Sequence, residues 1–328
     1  MKQIATFIAI IIITLAFTSC TSEEKNKEPI KISLDVWPGY AHAYIAKEKG
    51  FFAQHGVNVE LILTKTYSES SELYKNGEVD GILEVYSDSI LQNAQGIPLK
   101  IVYVSSYSDT SDVIIGKPEY NSLADLKGKK IGINGINTFS HLFVLSAAEK
   151  AGLREEEMRI AIVPIEETII ALEQGKIEAG HIWAPVKTQA LAKGYKILAK
   201  AGDRPGLFTD VLAVTPKLIE ERPQDVQAIV NALLEARNFI YTNREEAITI
   251  MAVSEGTTFE EMNEGINGIH QPDQMENIQA MQKSSETTSL YGAGAIISDF
   301  YLKRGQLSMH QDLEEIIEPR FVNNARRK

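Results

Sequence analysis

The clearest pattern of apolar and polar positions lies near the start of the chain, where a strand pattern changes to a helical one. Residues alternate between apolar and polar from Ile30 to Val36, which predicts a strand with one buried face. Pro38-Gly39 ends this strand in a turn, and a helical period then runs from Ala41 until Gly50 interrupts it. A helix that begins directly after a strand points free backbone N–H groups beyond the strand end, so we expect a ligand contact there.

Two aromatic residues, Trp37 and Tyr40, flank this first turn. Their rings could pack on a flat or apolar surface of a ligand at the end of the strand. The alternative is an ordinary first strand–helix unit in which both rings belong to the core. The turn alone is compatible with both interpretations.

Strand and helix patterns alternate along residues 30–215, and the pattern then becomes helical. Four helical segments follow Pro216, and none of them is separated from the next by a strand pattern: Pro223 to Tyr241, Arg244 to Val253, Phe259 to Gly265 and Ile296 to Lys303. We therefore expect these helices to cover a core that earlier strands build.

A short repeat predicts two similar halves in the strand-containing part. Residues 76–81 and 174–179 share the order polar, Gly, charged, aliphatic, acidic, small. Each segment follows a short helical pattern and runs into a strand pattern. Two lobes of this kind, each presenting loops at the carboxyl ends of its strands, would hold a ligand in the cleft between them.

The composition is that of a globular protein with a substantial core and an acidic surface. The 328 residues are 44% hydrophobic and 23% charged, with a formal net charge of −11. This length suits two lobes of ordinary size. The negative charge and the lack of a Lys/Arg run argue against a nucleic-acid partner.

The first twenty residues have the pattern of an export signal. Lys2 precedes an apolar run from Ile4 to Phe17, which is too short to span a membrane comfortably but suits a signal peptide. Cys20 follows small residues and is the only cysteine, so no intrachain disulfide can form. We expect a signal peptide over residues 1–19 and a polar tether over residues 20–28.

The position of Cys20 resembles the bacterial lipoprotein signal, in which the cysteine is lipidated and becomes the mature N-terminus. Phe17 departs from that pattern, because an aliphatic residue usually lies three positions before the cysteine. The resemblance implies an extracytoplasmic body that is anchored to a membrane by acyl chains. The alternative is a signal peptide without lipidation.

No catalytic constellation is recognisable in the sequence. It has no thiol besides Cys20, no Gly-x-Ser-x-Gly motif and no phosphate-binding loop, so we expect neither enzymatic activity nor a cofactor. His42, His141, His181 and Glu84 follow predicted strand ends and could bind zinc if they met in space. None of them has a local ligand spacing, so we expect no metal site.

Five segments in order carry a resemblance to a known family: Trp37-Pro38-Gly39-Tyr40, residues 125–132, residues 138–141, Trp183-Ala184-Pro185 and residues 210–214. Together they resemble the substrate-binding proteins of ABC importers of the nitrate/taurine/alkanesulfonate class, which includes binders of pyrimidine precursors. The resemblance implies a two-lobed α/β periplasmic binding-protein fold, similar to type II, with two crossovers and a ligand cleft. Lobe 1 would comprise residues 29–116 and 216–328, and lobe 2 residues 117–215.

The resemblance also implies a function. The protein would capture a small molecule by hinge closure and deliver it to a membrane permease and its ATPase, without catalysis. Two alternatives remain: an enzyme that acts on a small heterocycle on the same fold, and a ligand-binding sensory lipoprotein.

Ten residues match the ligand-facing positions that the resemblance implies: Trp37, Gly39, Tyr40, Glu84, Tyr86, Thr138, Ser140, His141, Trp183 and Asp210. Other roles are open for some of them. Trp37 and Trp183 could pack within their own lobes, and Thr138 and Ser140 could cap a helix. Asp210 could form an ion pair with Arg204.

The resemblance leaves the charge of the ligand open. Two helix starts that face a cleft would suit nitrate, taurine or another sulfonate. No Lys or Arg falls at the predicted strand ends, however, whereas Glu84 does. A carboxylate beside aromatic rings favours a cationic amine or a protonatable, pyrimidine-like heterocycle.

Overall fold

The computed structural model describes residues 28–184 and 186–325. The predicted signal peptide, Cys20, nearly all of the tether and Pro185 lie outside the described residues. Within the described ranges, no helix is long and apolar enough to cross a membrane.

Strands and helices alternate through the first two thirds of the described chain. The strands are β1 (Ile30–Leu34), β2 (Val59–Leu63), β3 (Gly81–Val85), β4 (Lys100–Ser108), β5 (Val113–Gly116), β6 (Lys130–Ile133), β7 (Arg159–Ile162), β8 (Ala179–Ile182), β9 (Lys196–Lys200), β10 (Thr209–Val214) and β11 (Ile269–His270). The first helices are α1 (His42–Glu48), α2 (Phe51–Gln54), α3 (Tyr67–Lys75), α4 (Tyr86–Ala94), α5 (Phe139–Lys150), α6 (Thr168–Glu173) and α7 (Val186–Ala192). The later helices are α8 (Pro216–Glu221), α9 (Pro223–Thr242), α10 (Arg244–Glu255), α11 (Phe259–Asn267), α12 (Gln274–Ala280), α13 (Leu290–Lys303), α14 (Leu313–Ile316) and α15 (Arg320–Asn323).

The strands form two sheets with the same arrangement. Sheet 1 has the order β11-β4-β10-β3-β1-β2, and sheet 2 has the order β7-β6-β8-β5-β9. In each sheet three strands are parallel, and a fourth joins them in the antiparallel direction: β10 in sheet 1 and β5 in sheet 2. The structure therefore has the two-lobed α/β architecture expected from the sequence, with lobe 1 built on sheet 1 and lobe 2 on sheet 2.

The antiparallel strands correct the predicted lobe boundaries. Val113–Gly116 was expected in lobe 1, but it pairs with β8 and β9 in sheet 2. Thr209–Val214 was expected in lobe 2, but it pairs with β3 and β4 in sheet 1. The two crossovers therefore lie at residues 109–112 and 201–208. Each strand that follows a crossover is apolar at most positions, and hydrophobicity alone does not indicate which sheet accepts it.

The short sequence repeat occupies equivalent places in the two lobes. Gly77 and Gly175 each follow a helix and adopt positive φ angles of 72° and 67°. Three residues later, the N–H of Asp80 donates to the Lys31 carbonyl, and the N–H of Glu178 donates to the Lys130 carbonyl, both at 2.8 Å. Each segment thus connects a helix to the third parallel strand of its sheet.

The helices after Pro216 cover lobe 1, as the sequence predicts. Helix α9 packs on α1 and α2, and α13 packs on α4. The buried face of α9 is aliphatic and includes Ile229, Val230 and Leu233. One expectation needs correction, because this part of the chain also contributes the short strand Ile269–His270 to the edge of sheet 1.

The two crossovers run side by side and are joined by backbone hydrogen bonds. The N–H of Ser108 donates to the Phe208 carbonyl at 2.9 Å, and the N–H of Gly202 donates to the Asp109 carbonyl at 2.7 Å. The carbonyl of Gly268 accepts the N–H groups of the three residues from Asp109 to Ser111. The crossovers therefore form a paired hinge that is held to lobe 1 at Gly268.

The second crossover requires glycine at position 206. Gly206 has a φ angle of 80°, and a Cβ atom there would lie 2.4 Å from the Thr287 carbonyl oxygen. Gly194 has a similar φ angle of 87°, but no atom lies within 4 Å of its Cβ position. Gly194→Ala should cost about 1 kcal/mol of unfolding free energy, from the left-handed backbone alone.

Gly206→Ala should cost clearly more, because the backbone at Thr287 must also move. Urea unfolding of both variants at pH 7 measures the difference. Equal losses would show that the segment at Thr287 accommodates the methyl group and that the hinge does not depend on this contact.

Candidate functional site

A small cavity of about 30 Å³ lies between the two lobes, where the hinge meets the carboxyl ends of the strands. Lobe 1, lobe 2 and both crossovers contribute to its wall. It is lined by Asp35, Trp37, Tyr40, Tyr67, Val85, Ser108, Asp112, Phe139, Trp183, Phe208 and Asp210. Its position between two lobes is typical of a small-molecule site.

Asp210 on β10 holds the first turn in place. Trp37 Nε1–H donates to Asp210 Oδ2 at 2.8 Å, and the Tyr40 hydroxyl donates to Asp210 Oδ1 at 3.2 Å. The Ser106 hydroxyl also donates to Oδ2. Both carboxylate oxygens are therefore used within the protein, and burial raises the pKa of Asp210 to about 7 although these donors favour the ionised form.

Gly39 permits this arrangement because it has no side chain. A Cβ atom at this position would lie 2.2 Å from Ser106 Oγ and 2.9 Å from Asp210 Oδ2. Gly39 itself is not a lining residue. Its contribution is the close approach of the first turn to β4 and β10.

Asp35, at the end of β1, is the carboxylate with unused hydrogen-bonding capacity. Its side chain is buried, and among the described residues Oδ1 has no hydrogen-bond partner. Burial raises the pKa of Asp35 to about 7. A buried acceptor without a partner is costly, so a donor or a positive charge in the cavity would stabilise it.

Asp112 is the third carboxylate and belongs to the first crossover. Asp112 Oδ1 lies 3.1 Å from His181 Nε2, and the other ring nitrogen of His181 lies 2.8 Å from Ser140 Oγ. The backbone N–H of Asp112 donates to Ser108 Oγ at 3.1 Å. These contacts tie the hinge to lobe 2 directly below the cavity.

Aromatic rings from both lobes form the remaining wall. Tyr67 of lobe 1 and Phe139 of lobe 2 meet edge to face, with ring centroids 6.0 Å apart. Trp183 lies 5.5 Å from Phe139. Among the described residues that line the cavity there is no Lys, Arg or His. The cavity is thus acidic and aromatic.

The structure brings several predicted site residues together. Trp37, Tyr40, Trp183 and Asp210 all line the cavity. The suggested pair between Asp210 and Arg204 does not form, because Arg204 Nη2 contacts Glu149 Oε2 at 2.9 Å instead.

Glu84 and Tyr86 were expected to face the cleft, and the structure corrects this expectation. Glu84 is fully buried inside lobe 1, where it accepts hydrogen bonds from Ser89 and Gln92. The Tyr86 hydroxyl donates to the Leu290 carbonyl at 3.0 Å. Val85 lies between them and lines the cavity. Because neighbouring side chains of a strand point to opposite faces, Glu84 points away from the cavity.

At the start of α5, too, the residue that lines the cavity is a direct sequence neighbour of residues that were expected to line it. Phe139 lines the cavity, whereas Thr138, Ser140 and His141 do not. Thr138 Oγ1 donates to the Gly135 carbonyl at 2.8 Å, and Ser140 Oγ accepts the N–H of Asn134. Neither side chain caps α5.

His141 faces lobe 1 at a distance from the cavity. Its Nδ1 accepts the N–H of Asn137 at 3.1 Å, and its ring packs against Phe300 of α13 with centroids 5.9 Å apart. His42 lies between the Tyr103 hydroxyl and Gln271 in lobe 1. The candidate zinc ligands therefore lie apart, and the described residues contain no group of three or more His, Cys, Asp or Glu that could hold a metal ion.

Seven lining residues are not among the predicted site residues: Asp35, Tyr67, Val85, Ser108, Asp112, Phe139 and Phe208. Phe139 lies inside a recognised segment, between two predicted residues, and Asp35 lies two residues before the segment that begins at Trp37. Asp112 and Phe208 lie on the crossovers, whose position the hydrophobic pattern did not reveal. Tyr67 begins α3 after β2, and its place at a strand end was an available signal.

Polar contacts close the lobes over the cavity. Lys187 Nζ of α7 donates to the Thr110 carbonyl at 2.9 Å and lies 3.3 Å from Glu264 Oε1 of α11. The hydroxyl of Thr188 donates to Glu264 Oε2 at 2.6 Å. Away from this contact, Arg304 of α13 forms an ion pair with Glu155 of lobe 2. The lobes are thus in a closed arrangement.

The pH dependence of the unfolding free energy tests whether Glu84 is buried inside lobe 1. Burial raises its pKa from 4.5 to about 8, so the folded protein keeps this proton at neutral pH while the unfolded chain releases it. Between these two values the unfolded state binds fewer protons, so the contribution of Glu84 to stability is lost as the pH rises. Glu84→Gln should therefore reduce the fall in unfolding free energy between pH 5 and pH 8, as measured by urea unfolding. An unchanged pH dependence would contradict the buried, protonated state.

Comparison with known proteins supports the fold. A formylaminopyrimidine-binding protein from Halalkalibacterium halodurans is 23% identical over 268 residues, which cover 77% of this chain and 79% of that protein. The periplasmic aliphatic sulphonate binding protein SsuA from Escherichia coli has a similar structure, with a TM-score of 0.73 at 18% identity over 89% of this chain and 93% of that one. The desulfurization enzyme DSZB gives a TM-score of 0.70 at 14% identity over 91% and 98%.

These likenesses confirm the periplasmic binding-protein fold and the resemblance that the sequence segments indicated. A family model described as NMT1/THI5 like matches residues 37–247, which is more than half of the chain. The chain belongs to the NMT1/THI5-like family.

Proposed function

We propose that this protein is the extracytoplasmic solute-binding component of an ABC importer and that its ligand is a small, flat, nitrogen-containing compound with a positive charge or a protonatable ring. One observation supports this class of ligand. The cavity between the lobes contains three carboxylates among aromatic rings, and no described lining residue is cationic. The likeness to a formylaminopyrimidine-binding protein supports a pyrimidine-like compound within this class.

Electrostatics favours a cation over an anion. A sulfonate or nitrate beside Asp35, Asp112 and Asp210 would be repelled by each of these groups that is ionised, because the space is buried and excludes water. Burial raises the pKa of both Asp35 and Asp210 to about 7, so both carboxyls are poised to ionise when a positive charge arrives. A cationic ligand would thus replace the missing counter-charge.

The lining residues have distinct roles in this proposal. Asp35, with an oxygen that has no partner, accepts an N–H group or the charge of the ligand. Asp210 is engaged by three donors and holds Trp37 and Tyr40 in position. Trp183 and Phe139 of lobe 2 cover a flat ring, through stacking and cation–π contact.

Capture follows from the position of the hinge. The crossovers at residues 109–112 and 201–208 contribute lining residues, so a rotation about them opens and closes the cavity. A ligand that contacts both lobes stabilises the closed form, which a permease can distinguish from the open one. The contacts of Glu264 with Lys187 and Thr188 add to the closed form.

Export and anchoring complete the proposal. The apolar run before Cys20 supports export of the chain, and the position of Cys20 supports lipidation of the mature N-terminus. The body of the protein would then lie outside the cytoplasm at the membrane surface, next to a permease and its ATPase.

An enzyme on the same fold is the second candidate, because the chain also resembles the desulfurization enzyme DSZB. The lining carboxylates with raised pKa values could act as general acids or bases. Incubation with the ligand found by the experiment below separates the two functions. A binding protein returns the ligand unchanged, whereas an enzyme releases a product that mass spectrometry detects.

Thermal unfolding of the chain without residues 1–20 tests the ligand class. The panel comprises amines, pyrimidines, taurine and other sulfonates, and nitrate. A ligand at one hundred times its Kd adds about 2.7 kcal/mol, which should raise the Tm by several degrees. We expect this rise with a cationic amine or a pyrimidine. A rise with sulfonate or nitrate alone would overturn the proposed ligand class.

Two variants test the roles within the cavity, using the ligand identified by that panel. Asp35→Asn should weaken binding about tenfold or more, since it removes a charged hydrogen bond. Trp183→Ala should also weaken binding, while leaving the fold intact. Glu84→Gln is the matched control, because it neutralises a buried carboxyl of lobe 1 outside the cavity, and its affinity should stay within about twofold of the wild type. Isothermal titration calorimetry gives the three affinities, and wild-type affinity in Asp35→Asn would exclude Asp35 from the contact.

A further inference from the structure

A second group of buried polar atoms lies behind the first turn and is not part of the cavity wall described above, apart from Asp35. It comprises both carboxylate oxygens of Glu255, the hydroxyl of Tyr44, Thr257 Oγ1 and Asp35 Oδ1. Each atom is buried, and none has a hydrogen-bond partner among residues 28–184 and 186–325. Glu255 ends α10 and is only 6% exposed.

The geometry of the chain brings these groups together. Glu255 and Thr257 line a small cavity of about 10 Å³, and Val36 and Pro38 of the first turn line it as well. Burial and then the charges of Glu255 and Asp35 raise the pKa of the Tyr44 hydroxyl. Burial and then the charge of Asp35 raise the pKa of Glu255. Glu255 thus shares the small cavity with Thr257 and lies near Tyr44 and Asp35.

Several effects make this cluster unfavourable without a further partner. A buried polar group without a hydrogen bond destabilises the folded state, and a buried carboxylate does so more strongly. The carboxyl end of α10 adds partial negative charge at Glu255. The backbone N–H of Trp37 lies close enough to lower the pKa of Glu255, but it does not satisfy either oxygen with a well-aligned hydrogen bond. No described residue that lines this small cavity is Lys, Arg or His.

We propose that this cluster is a binding site for a hard inorganic cation, an alkali or alkaline-earth ion. Its ligands would be the Glu255 carboxylate and the hydroxyls of Thr257 and Tyr44, with Asp35 supplying further negative charge. All the available donors are oxygen atoms, and such sets select these ions over softer transition metals. The proposed ligands Glu255, Thr257 and Tyr44 do not line the cavity between the lobes, but the site shares Asp35 with that cavity.

A bound cation would join separate parts of lobe 1. Tyr44 lies on α1, Glu255 ends α10, and Thr257 follows it. Asp35 precedes the first turn of the solute cavity. The ion would therefore stabilise the folded state and the position of this turn.

The experiment uses the full chain, in detergent, after dialysis against a chelator into a tetramethylammonium buffer at pH 8. Sodium, potassium, magnesium and calcium chlorides are added one at a time at constant ionic strength, and thermal unfolding is followed. At least one ion should raise the Tm saturably by several degrees, and calorimetry with that ion should give a stoichiometry of one. An absence of any saturable response would overturn the proposal and assign buried protons or water to these groups.

Variants of the proposed ligand residues test whether the rise in Tm comes from this site. Glu255→Gln should abolish the saturable rise in Tm, and Thr257→Val should weaken the affinity for the ion several-fold. Glu260→Gln is the matched control, because Glu260 is an exposed carboxylate near the start of α11. If Glu255→Gln fails to fold, Thr257→Val decides the question. A response that stays unchanged in Thr257→Val, or in a folded Glu255→Gln, would overturn the site.

Discussion

The buried carboxylate of Asp210 is the interaction on which the site depends. It accepts hydrogen bonds from Trp37 and Tyr40 of the first turn and from Ser106 of β4, so it connects three segments that are distant in sequence. This contact requires β10 to return from lobe 2 and insert between β3 and β4. It also requires glycine at position 39, because any side chain there would displace the hydrogen-bonding groups. The orientation of the aromatic wall is thus a consequence of the crossover topology.

The same topology concentrates negative charge in a space that excludes water. Asp35, Asp112 and Asp210 come from a strand end, a crossover and a returning strand, and each lines the cavity. Burial raises the pKa of Asp35 and Asp210 to about 7, and a positive charge beside them would favour their ionised forms. This charge pattern supports the proposed cationic or protonatable ligand. The sequence favoured the same class because of Glu84, but the carboxylates that line the cavity are other residues. Behind the first turn, Glu255 repeats the same physical situation without an aromatic wall.

The side chains that face the cavity differ by one sequence position from those that the sequence predicted. The sequence placed ligand contacts at the end of β3 and at the start of α5, and the structure places lining residues at both. At β3 the lining residue is Val85 and not Glu84, and at α5 it is Phe139 and not Ser140. A period of two residues leaves the inward and outward faces undecided when both positions are compatible with burial. The carboxyl group of Glu84 accepts hydrogen bonds from Ser89 and Gln92 inside lobe 1. The local sequence did not indicate these contacts.

The sequence by itself determined the alternation of strands and helices, the repeat at residues 76–81 and 174–179, the helical cover after Pro216 and the first turn as part of the site. These features follow from local patterns, because periodicity and turn residues act over a few positions. Only the tertiary structure decided that Val113–Gly116 belongs to sheet 2 and Thr209–Val214 to sheet 1. It also decided that Asp35 and Asp112 join Asp210 in one cavity. Both outcomes depend on which sheet accepts an apolar strand after a crossover, and that choice is made by long-range packing, which no local pattern encodes.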